Sequence, residues 1–128
     1  MKELFDVHCH MVPGVDDGAA DLEESLAMLK MQHEDGVRKI IITPHYRRRM
    51  FETPAKKVHE QFLKLQEAAK KEYPDMSLYL GCELHSNMDL QDILEKRKYV
   101  TMAGSSYVLL EFSEGDSAQH IRERVYNV

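Results

Sequence analysis

Hydrophobic positions along this chain change rhythm in a regular order. Leu4 to His8 is a short apolar strand segment. From Leu22 to His33 the apolar residues Leu22, Leu26, Leu29 and Met31 recur at helical spacing. Asp21, Glu23 and Glu24 stand at the N-terminal turn, where the helix dipole favours acids. Gly36 is placed to stop that helix. Lys39 to Thr43 contains Ile40-Ile41-Ile42, a β-branched run typical of a buried parallel strand, and Pro44 ends it. Thr53 has N-cap chemistry and Pro54 fits the first helical position, which predicts a helix to about Lys71. Leu78 to Leu80 reads as a third strand ending at Gly81-Cys82-Glu83. A short helix follows near Leu90 to Lys96, then a fourth strand, Tyr107 to Leu110, ending at Glu111-Phe112. Ala118 to Tyr126 begins another helix. No repeat, linker or low-complexity stretch interrupts the order βαβαβαβα. That order predicts an α/β fold of parallel strands, in a sheet or barrel with helices outside.

Composition narrows the class. The 128 residues suffice for one domain at most. At 43% hydrophobic and 30% charged, the chain reads as soluble and globular. A net charge of −5 argues against a nucleic-acid or anionic-membrane surface. No apolar run approaches the roughly 20 residues of a membrane helix, and the segment Met1 to Asp6 lacks a signal-peptide core. Cys9 and Cys82 are too few for a disulfide framework and read as reduced thiols of a cytoplasmic protein. The eight methionines read as core filler.

Candidate chemistry sits at the strand ends. In Asp6-Val7-His8-Cys9-His10, strand alternation places Asp6, His8 and His10 on one face and Cys9 on the other. Two imidazoles at that spacing can chelate one ion, and Val15-Asp16-Asp17-Gly18 brings carboxylates after them. Histidine with carboxylate suits zinc, manganese and iron. His45 follows the second strand, Glu83 the third and Glu111 the fourth. Parallel β/α folds build their sites at the strand C-terminal ends. Four successive ends carrying His-x-His, His, Glu and Glu therefore predict a metal centre. His33 and His59 read as helix-surface residues, and His120 lies far from any strand end. His85, two residues past Glu83, is left out of the ligand set. A cysteine-dependent tyrosine phosphatase needs a Cys-x5-Arg loop, and the position after Cys82 that would carry the arginine holds Met88.

These residues carry a family resemblance. The segment Asp6 to Ala19, with its His8-Cys9-His10 and Pro13-Gly14-Val15-Asp16-Asp17-Gly18, resembles the first motif of the polymerase and histidinol phosphatase (PHP) superfamily. More narrowly, it is similar to the bacterial capsular-polysaccharide tyrosine phosphatases. Thr43-Pro44-His45 with Met50-Phe51-Glu52-Thr53-Pro54 resembles their second motif, and Gly81-Cys82-Glu83-Leu84 and Leu109-Leu110-Glu111-Phe112 the third and fourth. The match runs over nearly the whole chain.

The resemblance implies a distorted (β/α)7 barrel with up to three divalent metals, usually manganese, with iron or zinc as alternatives. It implies that His8, His10 and Glu83 hold the first metal, that Glu83 bridges to a second also held by Glu111, and that Asp17 and His45 hold the third. Asp17 is the carboxylate directly before the glycine, so Asp16 is left for loop hydrogen bonds. The implied reaction is hydrolysis of phosphotyrosine in a protein, a bacterial tyrosine kinase, in the regulation of capsular or exopolysaccharide synthesis. A phenolate leaves readily, so little general-acid help is needed. One of Arg47, Arg48 and Arg49 is placed to neutralise phosphate. Members of the family are about twice this length and draw a further histidine and an Asp-x-His pair from their second half. The expectation is therefore the N-terminal portion of a single barrel domain, truncated, with an open edge that aggregates, self-associates or needs its missing half. Two alternatives stay open: an inactive half-barrel with partial metal binding, and another PHP phosphoesterase such as a histidinol phosphatase.

Overall fold

A computed structural model describes residues 2–87, 89–96 and 101–126. The chain order is β1 (Leu4–Asp6), α1 (Leu22–Glu34), β2 (Val37–Ile42), β3 (His45–Tyr46), α2 (Ala55–Glu72), β4 (Ser77–Leu80), β5 (Glu83–His85), α3 (Leu90–Lys96), β6 (Leu109–Glu111) and α4 (Ala118–Tyr126). A 3-10 turn at Met102–Gly104 precedes β6.

All strand pairs are parallel, in two sheets of order β1-β2-β4 and β3-β5-β6. Two strands run through both sheets, β2 into β3 and β4 into β5, while β1 belongs to the first alone and β6 to the second. Lys39 lies opposite Ser77 and His45 opposite Glu83, the same separation along the chain. Between them the ladder is carried by Gly81 N–H to Ile42 O (2.8 Å) and Glu83 N–H to Pro44 O (2.9 Å). Pro44 has no N–H to give, so the strand assignment breaks there while the pairing goes on. Likewise β1 ends at Asp6, but Thr43 N–H still bonds Cys9 O at 2.8 Å. The segment carrying His8 and His10 thus runs beside the second strand without being a strand itself.

Alternation assigns the faces. Ile40 and Ile42 are fully buried, with Leu29 of α1 and Leu65 of α2 in the same core. Ile41 points the other way and is only half-buried, so the isoleucine run is not covered on both sides as expected. On that second face Phe5 and Val7 are 63% and 55% exposed, and the Lys39 ammonium lies 5.3 Å from the Phe5 ring centroid. A smaller core of Cys82, Leu84, Leu90 and Ile93 backs the second sheet.

The helices follow their sequence signals with two corrections. Asp21 caps α1 by accepting the Glu24 N–H at 2.8 Å, and Gly36 leaves it at φ +92°. The stripe of α1 is narrower than expected: Leu29 and Ser25 are buried, while Met31 is 66% exposed. Ser25 is accommodated because its hydroxyl donates to Met11 O at 2.7 Å. In α2, Val58, Phe62, Leu65 and Ala69 form the buried stripe. Thr53 is not its N-cap. Pro54 occupies that position, and the Thr53 hydroxyl donates instead to Val15 O at 2.8 Å. The methionine expectation holds for Met11 and Met76, which are buried, but not for Met31 and Met50. Met1 and Met88 lie outside the described residues.

Candidate metal centre

The second sheet and the loop after β1 bring the polar residues together. His45 opens β3, Glu83 opens β5 and sits opposite it, and Glu111 closes β6. His8 and His10 reach the same place from the segment beside Thr43. Their Nε2 atoms lie 2.9 and 3.0 Å from the same oxygen, Glu83 Oε2. His45 Nδ1 faces Glu83 Oε2 at 3.6 Å and Glu111 Oε2 at 3.5 Å, while its Nε2 faces Asp17 Oδ1 at 3.6 Å.

Three groups have donor atoms within 4.8 Å of one another: His8, His10 and Glu83; His10, Asp17 and His45; His45, Glu83 and Glu111. An ion about 2.0–2.2 Å from each donor fits such spacing. One observation speaks for a cation independently of proximity. His45 Nδ1 and Glu111 Oε2 are buried with no hydrogen-bond partner. They face each other at 3.5 Å, an ion-pair distance without a hydrogen bond, and a cation held between them would satisfy both. The donor set fits divalent metal.

The loop between β1 and α1 is built around Asp16. Its side chain is fully buried and accepts from Gly18 N–H (2.9 Å), His45 N–H (3.0 Å) and His10 Nδ1 (3.1 Å). By taking His10 Nδ1, it directs His10 Nε2 to Glu83. Burial alone would push the Asp16 carboxyl up; the His10 bond and the two backbone amides outweigh this and hold it below the ordinary carboxylate range. His10 is pushed above its ordinary value, first by the Asp16 bond, against burial and with help from Glu83 and Asp17. Gly18 has no substitute here, because a Cβ would lie 2.0 Å from His10 O. That close approach swings Asp17 out beside His45, where it is 63% exposed.

All six predicted ligands therefore converge. The grouping differs from the implied one in that His10 joins Asp17 and His45, and His45 also joins Glu83 and Glu111. Asp6 does not share the ligand face as strand alternation predicts. The strand has already ended, and its carboxylate accepts from His8 N–H and Gln32 Nε2. Cys9 points away, its thiol pushed up to about 12 by burial and then by Asp6 and Asp16. His59 is exposed, whereas His33 is half-buried and paired with Asp75 at 3.0 Å. His120 belongs to none of the three groups.

The arginines sit on a tight hairpin. Arg47 and Phe51 exchange backbone hydrogen bonds of 2.9 Å, and Arg49 turns the tip at φ +68°. Arg47 is half-buried, Arg48 and Arg49 exposed. The Phe51 ring stacks on His45 with centroids 5.2 Å apart, and His45 stacks on His10 at 4.3 Å, which ties the hairpin to the centre. Phe51 was not singled out from sequence, though its place in the second motif was the available signal.

Parallel β/α units with a His/carboxylate cluster at their C-terminal ends have the form of a PHP-fold metal centre. The chain belongs to the family described as capsular polysaccharide synthesis, CpsB/CapC, whose model matches residues 4–128. It is 39% identical over 125 residues to the tyrosine-protein phosphatase CpsB of Streptococcus pneumoniae, covering 98% of this chain and 51% of that protein. It is 27% identical to the tyrosine-protein phosphatase YwqE of Bacillus subtilis, covering 98% and 49%. It superimposes at TM-score 0.85 and 27% identity on a solved chain described with the crystal structures of B. subtilis YwqE and S. pneumoniae CpsB, unique metal-dependent tyrosine phosphatases. That match covers 97% of this chain and 50% of the other. The chain thus spans about half the length of the curated relatives it matches. No helix among the described residues is long and apolar enough to cross a membrane.

Proposed function

We propose that this chain supplies the N-terminal part of a metal-dependent protein-tyrosine phosphatase active site. The carrying observation is the convergence of six donor side chains, in which the buried His45 Nδ1 and Glu111 Oε2 face each other at 3.5 Å beside Glu83 with no hydrogen bond to either. His8, His10 and Glu83 would hold one ion, Glu83 with Glu111 and His45 a second, and His10, Asp17 and His45 a third. Manganese is the metal that the family resemblance implies, and the His/carboxylate donor set accommodates manganese, iron or zinc. Bound there, divalent ions lower the pKa of water and offset charge on phosphoryl oxygens.

The chain's own residues do the rest. Asp16 fixes the His10 ring. Gly18 brings Asp17 to His45. The Phe51 stack holds His45 and carries the arginine hairpin to the rim, where one of Arg47, Arg48 and Arg49 meets the phosphate. The phenolate of phosphotyrosine departs without a strong general acid. The names of the relatives support a phosphotyrosine protein as the substrate class, and the family description supports a role in capsule synthesis. We take the substrate to be a bacterial tyrosine kinase of capsule or exopolysaccharide synthesis, met in the cytoplasm. Remaining coordination positions are filled from beyond these 128 residues. The exposed Phe5 and Val7 face also makes the isolated chain prone to self-association.

The test is hydrolysis of p-nitrophenyl phosphate and a phosphotyrosyl peptide with Mn2+. The chain alone should turn over weakly or not at all. Co-expression with the second half of S. pneumoniae CpsB should restore activity that chelator removes. Full activity of the chain alone would show that it needs nothing further. Metal uptake with no activity in either form would favour a non-catalytic half-barrel, and preference for histidinol phosphate would favour another phosphoesterase.

A further inference from the structure

His85 shares the ligand face of β5, because residues two apart in a strand point the same way and Glu83 points into the centre. In the ladder it stands opposite Glu111. Yet His85 belongs to none of the three donor groups. Both of its ring nitrogens are already engaged. The backbone N–H of Asn87 can only donate, and it lies 3.1 Å from His85 Nδ1, which accepts. A neutral ring then carries its hydrogen on Nε2, which donates to Ser113 Oγ at 3.1 Å. His85 itself is 4% exposed, and its two bonds run outward to half-buried Ser113 and exposed Asn87.

These bonds span two loops at the working end of the sheet. One is the turn after β5, the other the loop after β6 that begins beside Glu111. Further bonds stiffen the second loop. Ser86 N–H donates to Glu111 O at 2.9 Å, and Ser113 N–H to Asp116 Oδ2 at 2.8 Å. Glu111 Oε2 itself has no hydrogen-bond partner to orient it. Beyond its ion-pair contact with His45 Nδ1 at 3.5 Å, Glu111 is held through the backbone on either side, which Ser86 grips at Glu111 and His85 grips at Ser113.

We propose that His85 is a positioning residue for Glu111, tying the turn after β5 to the loop after β6 so that the Glu111 carboxylate is held against His45 and Glu83. The inference rests on the metal-centre reading above and assigns His85 no contact with the reacting atoms.

The experiment measures Mn2+ uptake by the 128-residue chain, following free ion by electron paramagnetic resonance. His85→Asn keeps an acceptor near the Asn87 amide but has nothing to reach Ser113. Ser113→Ala removes the same bond from the other side. Each should weaken the binding step that depends on Glu111 by about 10- to 100-fold, the usual effect of losing an outer-shell partner, and leave the other steps alone. The double variant should be no weaker than either single one. His85→Gln, which restores an N–H toward Ser113, should recover most of the loss. Wild-type binding in His85→Asn, additive losses in the double variant, or equal weakening of every step would overturn the proposal. If the wild-type chain takes up no Mn2+ either alone or when completed by the second half of S. pneumoniae CpsB, the metal-centre reading fails by itself. Hydrogen exchange in the metal-free chain then decides the positioning role. Amides 112–117 should exchange faster in His85→Asn and Ser113→Ala but not in Glu111→Gln, and unchanged exchange would refute it.

Discussion

The two sheets share two continuous strands but hold together by different means. Around β1-β2-β4 the buried residues are almost all apolar, with Ile40, Ile42, Leu29 and Leu65 fully enclosed between sheet and helices. Around β3-β5-β6 the strands are two or three residues long, and Glu83, His85 and Ser86 are buried among them. The first region gains from every apolar contact. The second encloses carboxylates and imidazoles whose desolvation opposes folding unless they are paired. Stability thus resides in the first sheet and chemistry in the second, and the register that runs through Pro44 and Gly81 from β2 into β3 and β4 into β5 joins them.

Substitutions should separate the two halves. The largest expected effect is at Glu83, whose Oε2 lies within 3.0 Å of both His8 and His10. Glu83→Ala and His10→Ala should cut Mn2+-dependent activity of the completed enzyme by orders of magnitude. Glu83→Ala should leave the thermal midpoint of the metal-free chain nearly in place, whereas His10→Ala should also lower it by stripping the buried Asp16 of a partner. Leu65→Ala should do the reverse. It should cost about 2–5 kcal/mol in denaturant unfolding, while metal affinity persists wherever the chain is folded. If Leu65→Ala removed metal binding at temperatures where circular dichroism shows native structure, the division of labour would be wrong.

The same division explains what the amino-acid pattern revealed. Helices α3 and α4 lie where the sequence reading placed them, at Leu90–Lys96 and Ala118–Tyr126. Strands β3 and β5 escaped notice because two or three residues cannot display an alternation. The six candidate ligands were legible because strand C-terminal ends share one face whatever the detail of the strands. The roles of neighbouring polar residues were not. Thr53 looked like a helix cap, and only the folded chain shows its hydroxyl spent on Val15 O. His85 has the spacing of a ligand, and only the folded chain shows its nitrogens taken by the local turn at Asn87 and by distant Ser113.

Smaller effects sharpen the boundary. Asp16→Asn keeps the loop's size but weakens the grip on His10, so metal affinity should fall by about 10- to 100-fold, as read by competition with a chelating dye. Among Arg47→Ala, Arg48→Ala and Arg49→Ala, one should raise KM for a phosphotyrosyl peptide with metal content unchanged. Three variants with wild-type kinetics would leave the hairpin as a solvated basic segment. At the far end of the scale, His59→Ala should shift stability by about 0.5 kcal/mol or less and leave activity unaltered. His33→Ala should also spare activity, since its partner Asp75 lies outside the donor groups.

The central claim is that His8, His10, Asp17, His45, Glu83 and Glu111 hold divalent metal. Crystals of the chain soaked in Mn2+ and measured at the manganese absorption edge test it most directly. The account predicts anomalous peaks between His8, His10 and Glu83 and between His45, Glu83 and Glu111, with the latter next to the buried His45 Nδ1 and Glu111 Oε2 atoms. Peaks confined to surface carboxylates elsewhere, with these six side chains unliganded, would contradict it.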